Sequence, residues 1–320
     1  MQKEISDSSS SFTLASKLRD YMMLVKFSLT FMVVFSAVIS YLLAPKIIGF
    51  NAKMILLLFV GGFLVTGSAN SINQVVERDT DAMMKRTAKR PLASGRMSVT
   101  EGWAFAILSG AAGVFILWYF FNALSAGLAA FSLFLYAFIY TPLKKVNSIS
   151  VLVGAVPGAL PCLIGWAAGN DALTAGGWAL FAIQFFWQFP HFWAIAWIAH
   201  KDYSGAGFKL LPSVEGPTKF SAIQSIIYSL LLIPVGVLPY VFGMSGLVSF
   251  FIVFIANLLM VWQSVRLYKE MELKAARRVM FSSYIYLPVV LLALLADKLP
   301  PARPVTGSII QVIDQALAFQ

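Results

Sequence analysis

The sequence predicts an all-α fold: a polytopic membrane protein with nine transmembrane helices in a bundle. Three observations carry that prediction. Apolar residues make up 59% of the chain and charged residues 12%, about half the charged share of an ordinary soluble domain. Apolar runs of roughly 17–25 residues, the length that crosses a bilayer, recur along the whole chain. Basic residues are concentrated in every second connecting segment.

In chain order the spans are expected at about 27–43, 54–76, 103–121, 124–140, 149–168, 176–199, 220–241, 246–267 and 279–296. The fourth is short. Pro157 and Pro161 fall in the fifth, Pro190 in the sixth, and Pro234 and Pro239 in the seventh. Neighbouring helices satisfy the carbonyls that proline frees, so these helices are expected to be kinked. Residues 1–20 are polar and Ser-rich, without the charge, apolar core and cleavage-site order of a signal peptide. They are expected to be a disordered cytoplasmic tail, with the nine-helix domain over 21–297. Residues 298–320 form a C-terminal tail, where the apolar pattern Ile309–Phe319 is too short to span and suits an interfacial helix.

The basic residues set the orientation. Four precede or enter the first span, and six, two, three and five fall in the 2–3, 4–5, 6–7 and 8–9 loops. Only Lys46, Lys53, Lys298 and Arg303 of the 24 lie on the opposite side. The positive-inside rule then puts the N-terminus in the cytoplasm and the C-terminus outside; the membrane is expected to be the cell's inner (plasma) membrane. The net charge of +10 is therefore a topology signal, and nucleic-acid binding loses its support. A single cysteine, Cys162, lies in an apolar run, which excludes disulfides and thiolate metal sites. Two histidines, His191 and His200, are too few for a His-rich metal centre. The span interiors hold no deep Lys, Arg, Asp or Glu, which weakens the case for an anion transporter.

One stretch breaks the pattern. In Asn73–Pro91, "NQVVERDTDAMMKRTAKRP", three of the chain's 14 acids (Glu77, Asp79 and Asp81) fall together. Asn73, Glu77 and Asp81 follow one another at four-residue steps, each drifting about 40° around a helix. A second helix running on to Asp81 would therefore carry them as one stripe, with Asp79 off it. Oxygen ligands with few carboxylates suit Mg²⁺, which takes its remaining ligands from water and substrate phosphates. Lys85 follows, then Arg86 and Arg90, also four residues apart and ending in Pro91, which suggests a second short helix turning back. Arginine grips phosphate oxygens in a fork, so acids for a metal and arginines for oxygens together suit a diphosphate.

Two other segments fall on the same face. The sixth helix ends in "HKDYSGAGFKLLP", where Asp202 is a candidate for a second metal, Lys201 for a phosphate, and Tyr203 stands beside them. The 4–5 loop adds "YTPLKK", with Tyr140, Lys144 and Lys145. Each segment alone also reads as a solvated ion pair, a Gly hinge or a topology signal. Three of them with complementary chemistry on one face point to one site.

These motifs resemble the UbiA superfamily of intramembrane prenyltransferases over roughly residues 21–297. The superfamily pattern has Asn and two acids at four-residue steps, then Arg-Thr-x-x-Arg-Pro-Leu, as in "NQVVERDTDAMMKRTAKRPLASGRMS". Within it the chain most resembles the heme-farnesylating branch, through Asp79 in "ERDTD", "GAVPGALPCLIGW", "WQFPHFW" and "KDYSGAG" followed by "LLP". There are departures. Glu77 stands where Asp is frequent, and Lys26-Phe27-Ser28 where Lys-Pro-Arg is frequent, so a phosphate-binding Arg is missing. Gln188-Phe189-Pro190-His191 replaces Gln-Pro-Pro-His. Quinone-ring polyprenyltransferases, the alternative, carry a second D-x-x-x-D near the end of helix 6. Here Ala206 stands four residues after Asp202.

The resemblance implies an Mg²⁺-dependent transfer of farnesyl from farnesyl diphosphate to a vinyl group of heme B, with addition of water, giving heme O. It implies a cytoplasmic active site with Asn73, Glu77, Asp81 and Asp202 as metal-holding catalytic residues. Lys85, Arg86, Arg90, Lys144, Lys201, Tyr140 and Tyr203 would bind diphosphate. It points to terminal-oxidase or heme A synthesis proteins as partners. His191, beside Pro190, is a candidate ligand for heme iron or a histidine filling the gap proline leaves.

Overall fold

The computed structural model describes residues 14–300 except Val214. Helices α1 (Leu14–Leu24), α2 (Phe27–Leu43), α3 (Ala52–Val76), α4 (Arg78–Met83), α5 (Val99–Phe120) and α6 (Ala123–Phe134) lead to a π-helical stretch, Leu135–Tyr140. Then follow α7 (Thr141–Leu143), α8 (Ser150–Asn170), α9 (Ala175–Ile198), α10 (His200–Gly205), α11 (Lys219–Val241), α12 (Leu247–Glu270) and α13 (Leu273–Ala296). The described residues contain no strand; one isolated bridge joins Ser245 and Lys298.

By length and composition seven helices can cross a membrane, or up to eight if the bent pair α1 and α2 counts as one span. The π stretch carries α6 on to Leu143, so the short fourth span becomes 21 residues long. Helix α9 has 24 residues but is not among the seven. It carries Gln184, Gln188 and His191 and turns inward, so its polarity is spent inside the bundle.

Neighbour follows neighbour around a closed ring: α2, α3, α5, α6, α8, α9, α11, α12 and α13, with α13 returning to α2. Helix α8 is the most enclosed span, 72% buried. Its Gly165 lets it approach α2 closely: a Cβ there would sit 1.8 Å from the Ala37 carbonyl oxygen. Lipid supplies no hydrophobic drive between helices, so small residues and interhelical hydrogen bonds hold them. Ser40 donates to the Cys162 carbonyl, Ser68 to that of Ala106, and Asn257 to that of Leu232. At the end of α13, Lys298 donates to the carbonyls of Leu42, Ala44 and Ile47 at 2.7–2.9 Å, closing the ring onto the end of α2.

The tail expected over residues 1–20 is corrected in part, because the chain is helical from Leu14. Asp20 is buried and pairs with Arg96 at 2.9 Å, and Tyr21 and Lys17 both donate to Glu101. These anchors give α1 a surface to fold on. Residues 1–13 and the segment Ile309–Phe319 lie outside the described residues.

Candidate active site

The site is built where α3 stops. Glu77 leaves helical geometry (φ −94°, ψ 9°) and α4 restarts at Arg78, so the single helix expected to run to Asp81 is broken. The four-residue register survives the break. The Glu77 amide donates to the Asn73 carbonyl at 3.0 Å, and the Asp81 amide to the Glu77 carbonyl at 2.7 Å. Asn73, Glu77 and Asp81 are all buried and line one cavity of about 220 Å³. The expected short helix over Arg86–Pro91 is a succession of turns instead, with Ala88 bonding back to Met84 and Arg90 to Thr87. Those turns bring Arg86 and Arg90 to the same cavity.

Every buried carboxylate there has a cation. Arg90 Nη1 donates to both Asp81 oxygens, at 2.8 and 2.7 Å, and Lys144 pairs with Glu77. Lys26 Nζ donates to Asn73 Oδ1 at 2.9 Å. Arg86 donates to the Tyr203 hydroxyl at 3.0 Å, with its guanidinium 5.5 Å from that ring's centre. Lys144 lies 5.0 Å from the Tyr140 ring and 5.3 Å from that of Phe208, close enough for cation–π attraction. Burial pushes the Lys144 ammonium below the ordinary lysine range, and the Glu77 carboxylate only partly opposes it. Burial likewise raises the Tyr203 hydroxyl.

The π-helical stretch supplies part of the wall. Its wider turn places Tyr136 and Tyr140 both on the cavity. The Tyr136 carbonyl takes the Thr141 amide and also the Thr141 hydroxyl, the latter at 2.8 Å, and Thr141 Oγ1 accepts in turn from Asn73. A second, apolar cavity of about 90 Å³ begins at Leu29 and Tyr136, which line both, and continues past Val33, Val65, Leu117 and Ile164. A charged head and an apolar tail can therefore be held by adjoining spaces.

Other residues singled out in the sequence lie elsewhere. Lys85 and Lys201 are exposed and Asp202 is half-buried, and none of them lines the cavity. Asp79 is 88% exposed and pairs with Arg78. His191 does not line the cavity either, although its α9 neighbours Phe192, Ile195 and Ala196 do. Lys26 is the cavity cation that the sequence reading missed, having been counted as a topology charge. Its signal was its position directly before the first span, where the related pattern also has a basic residue.

Among the described residues no group of three or more His, Cys, Asp or Glu is placed to hold a metal. The cavity offers the oxygens of Asn73, Glu77 and Asp81. That donor set fits Mg²⁺, which keeps waters and completes its shell with substrate oxygens, better than a metal needing an all-protein cage.

Comparison with known proteins places this geometry. The model of the UbiA prenyltransferase family matches residues 33–286. The chain belongs to this family. A protoheme IX farnesyltransferase of Cytophaga hutchinsonii is 46% identical over 287 residues, 89% of this chain and 100% of that protein. One from Christiangramia forsetii is 42% identical, over 89% and 95% of the two chains. Among solved structures, a digeranylgeranylglyceryl phosphate synthase aligns with TM-score 0.73 at 20% identity, over 88% and 98% of the chains. A UbiA homologue of Archaeoglobus fulgidus bound to GPP and Mg²⁺ aligns with TM-score 0.60 at 16% identity, over 87% and 99%. At those identities the likeness establishes the UbiA fold.

Proposed function

We propose that this chain transfers a farnesyl group from farnesyl diphosphate to a vinyl group of heme B, with addition of water, giving heme O. The observation that carries the reading is the cavity itself, where two buried carboxylates and four cations meet at the edge of an apolar chamber. The near full-length likeness to protoheme IX farnesyltransferases supports heme as the acceptor. The finer topology of nine spans, with a cytoplasmic N-terminus and active site in the cell's inner membrane, rests on the distribution of basic residues. Terminal-oxidase or heme A synthesis proteins would then be the partners that receive the product.

The residues divide by role. Lys26, Arg86, Arg90 and Lys144 hold the diphosphate oxygens, and Tyr140 and Tyr203 orient Lys144 and Arg86. Asn73, Glu77 and Asp81 are the residues that would hold Mg²⁺. When bound, the ion supplies positive charge against the departing diphosphate. As the allylic carbon–oxygen bond breaks, the bond's electron pair leaves with the diphosphate, and the four cations meet that growing charge without reorganising. The apolar chamber keeps water from the farnesyl cation. The vinyl carbon–carbon bond then forms, and the cation left on the porphyrin side takes up water, which releases a proton.

The test is direct. Purified protein is given heme B, farnesyl diphosphate and Mg²⁺, and the porphyrin is analysed by mass spectrometry. The expected product has gained one farnesyl group and one hydroxyl. Folded protein that leaves heme B unchanged refutes the proposal.

A further inference from the structure

The seam between α9 and α13 holds a histidine whose two ring nitrogens are used unequally. His191 Nδ1 lies 2.8 Å from Ser283 Oγ. The same Ser283 Oγ lies 2.6 Å from the Met280 carbonyl oxygen. A carbonyl only accepts and a hydroxyl has one proton, so that proton points at Met280. Ser283 must then accept from His191, which puts the imidazole proton on Nδ1. Nε2 keeps its lone pair, and no hydrogen bond to it occurs among the described residues.

The ring is also held in place. Trp187 stacks on it at 4.9 Å with 19° between the planes, and the Trp187 indole donates to the Ser283 carbonyl at 2.9 Å. Tyr284 meets it edge-on at 5.3 Å. On α13, Phe281 and Tyr284 flank the buried Ser283 and are themselves exposed. A histidine that merely filled the gap left by Pro190 would donate to a carbonyl freed in its own helix. His191 instead donates to a side chain on another helix. A neutral imidazole, fixed through one N–H and open at the other nitrogen, is the arrangement of an iron-ligating histidine.

We propose that an iron porphyrin docks in the α9–α13 seam, with His191 Nε2 as its axial ligand and Ser283 as the positioning residue that fixes the tautomer. This rests on the reading of the chain as a heme farnesyltransferase and gives that reading an acceptor site. Along α9, His191 is one turn, about 6 Å, from Ile195. Ile195, Phe192 and Ala196 wall the charged cavity. A porphyrin held at His191 would therefore sit within about one helical turn of that wall.

The test titrates heme B into the full chain in detergent and reads absorbance and the iron–histidine stretch by resonance Raman. Melting temperature and elution volume show that each variant is folded. His191→Gln is expected to lose the iron–histidine stretch. Ser283→Ala is expected to keep it at a shifted frequency and to bind heme about tenfold more weakly, the usual cost of removing such an outer partner. Ser283→Thr, which keeps the hydroxyl, is expected to restore the wild-type frequency. A purely structural Ser283 would lower the melting temperature without moving the stretch. A folded His191→Gln with the wild-type spectrum, or Ser283→Ala with the wild-type frequency, overturns the proposal. If wild-type protein farnesylates heme while His191→Gln leaves the spectrum unchanged, the site alone is wrong. If wild-type protein makes no farnesylated heme, the functional reading falls and the site falls with it.

Discussion

Lys26 reaches the cavity because the chain turns sharply before α2, and Gln74 holds that turn. Helices α1 and α2 meet at 55°, and Lys26 takes the left-handed conformation (φ 51°, ψ 60°), which costs a non-glycine residue about 1–2 kcal/mol. Gln74 Nε2 donates to the carbonyls of Met23 at 2.9 Å and Leu24 at 2.8 Å, and Asn70 donates to that of Val25 at 3.1 Å. Gln74→Leu removes both of its bonds. The Met23 carbonyl keeps the Lys26 amide at 3.2 Å, so its loss is about 1 kcal/mol. The Leu24 carbonyl belongs to a fully buried residue and loses its side-chain donor, at about 1–3 kcal/mol. Together, about 2–4 kcal/mol exceeds the left-handed strain, so the turn relaxes and the ammonium leaves Asn73. A charge-assisted bond to a diphosphate oxygen is worth about 1.5–3 kcal/mol, so KM for farnesyl diphosphate should rise about 10- to 100-fold. Steady-state kinetics on Gln74→Leu, Lys26→Met and the double variant check this. If Gln74 acts through Lys26, the double variant binds no worse than Lys26→Met. A wild-type KM in Gln74→Leu, or losses that simply add in the double variant, refutes the reasoning.

Glu77→Gln and Asp81→Asn should each lower turnover by at least about 100-fold, the usual cost of removing one preorganised electrostatic group, while the protein still inserts in the membrane; single-turnover product formation measures it. Chelation by EDTA should abolish activity and added Mg²⁺ should restore it, as followed in the mass-spectrometric assay. Lys144 titrates below the ordinary lysine range because it is buried. Its contribution to diphosphate binding is therefore complete below that lowered pKa and lost as pH rises through it. KM for farnesyl diphosphate should climb in that alkaline window, and Lys144→Arg should flatten the climb. Gly165→Ala puts a Cβ against the Ala37 carbonyl, forcing α2 and α8 apart at about 1–3 kcal/mol or more, read as a lower melting temperature in detergent.

What the sequence made legible follows from the range of the forces involved. Apolar runs report burial in lipid directly, so most spans were readable to within a few residues. The Asn73–Glu77–Asp81 stripe was readable because it needs only helical register, and that register persists across the break at Glu77. Lys26 was not, because its placement depends on Gln74 and Asn70, side chains more than forty residues away in sequence. The π-helical wall was hidden too, since nothing in "LYAFIY" distinguishes it from an α-helix. Asp202 and Lys201 show the opposite error. Helix direction predicts the end of the bundle where they fall, next to the cavity-lining Tyr203, but an end of a bundle is broader than a cavity, and these side chains do not line it. Helix α9 was legible as the sixth span, at 176–199, although Gln184, which accepts from Cys162 and donates to the Gly158 carbonyl, lowers its hydropathy because it serves the bundle interior.

The charge arrangement also explains how such a site can wait for its substrate inside a membrane. An unpaired buried charge is costly, and breaking a buried pair by removing one partner strands the other. Without substrate the carboxylates of Glu77 and Asp81 neutralise Lys144 and Arg90. Lys26 is held by the Asn73 amide oxygen and Arg86 by the Tyr203 hydroxyl and ring. A divalent ion and a diphosphate arriving together can exchange with these internal pairs, the carboxylates turning to the cation and the bases to the anion. Each charge then changes partner without ever losing one. Lining the cavity are four cations and two carboxylates, a formal excess of +2, which favours the anion over the metal alone. Neutralising Arg90 or Lys144 should therefore harm the empty protein as well as the reaction, by leaving Asp81 or Glu77 without a counter-charge, whereas neutralising Lys26 should spare the fold and act on the substrate.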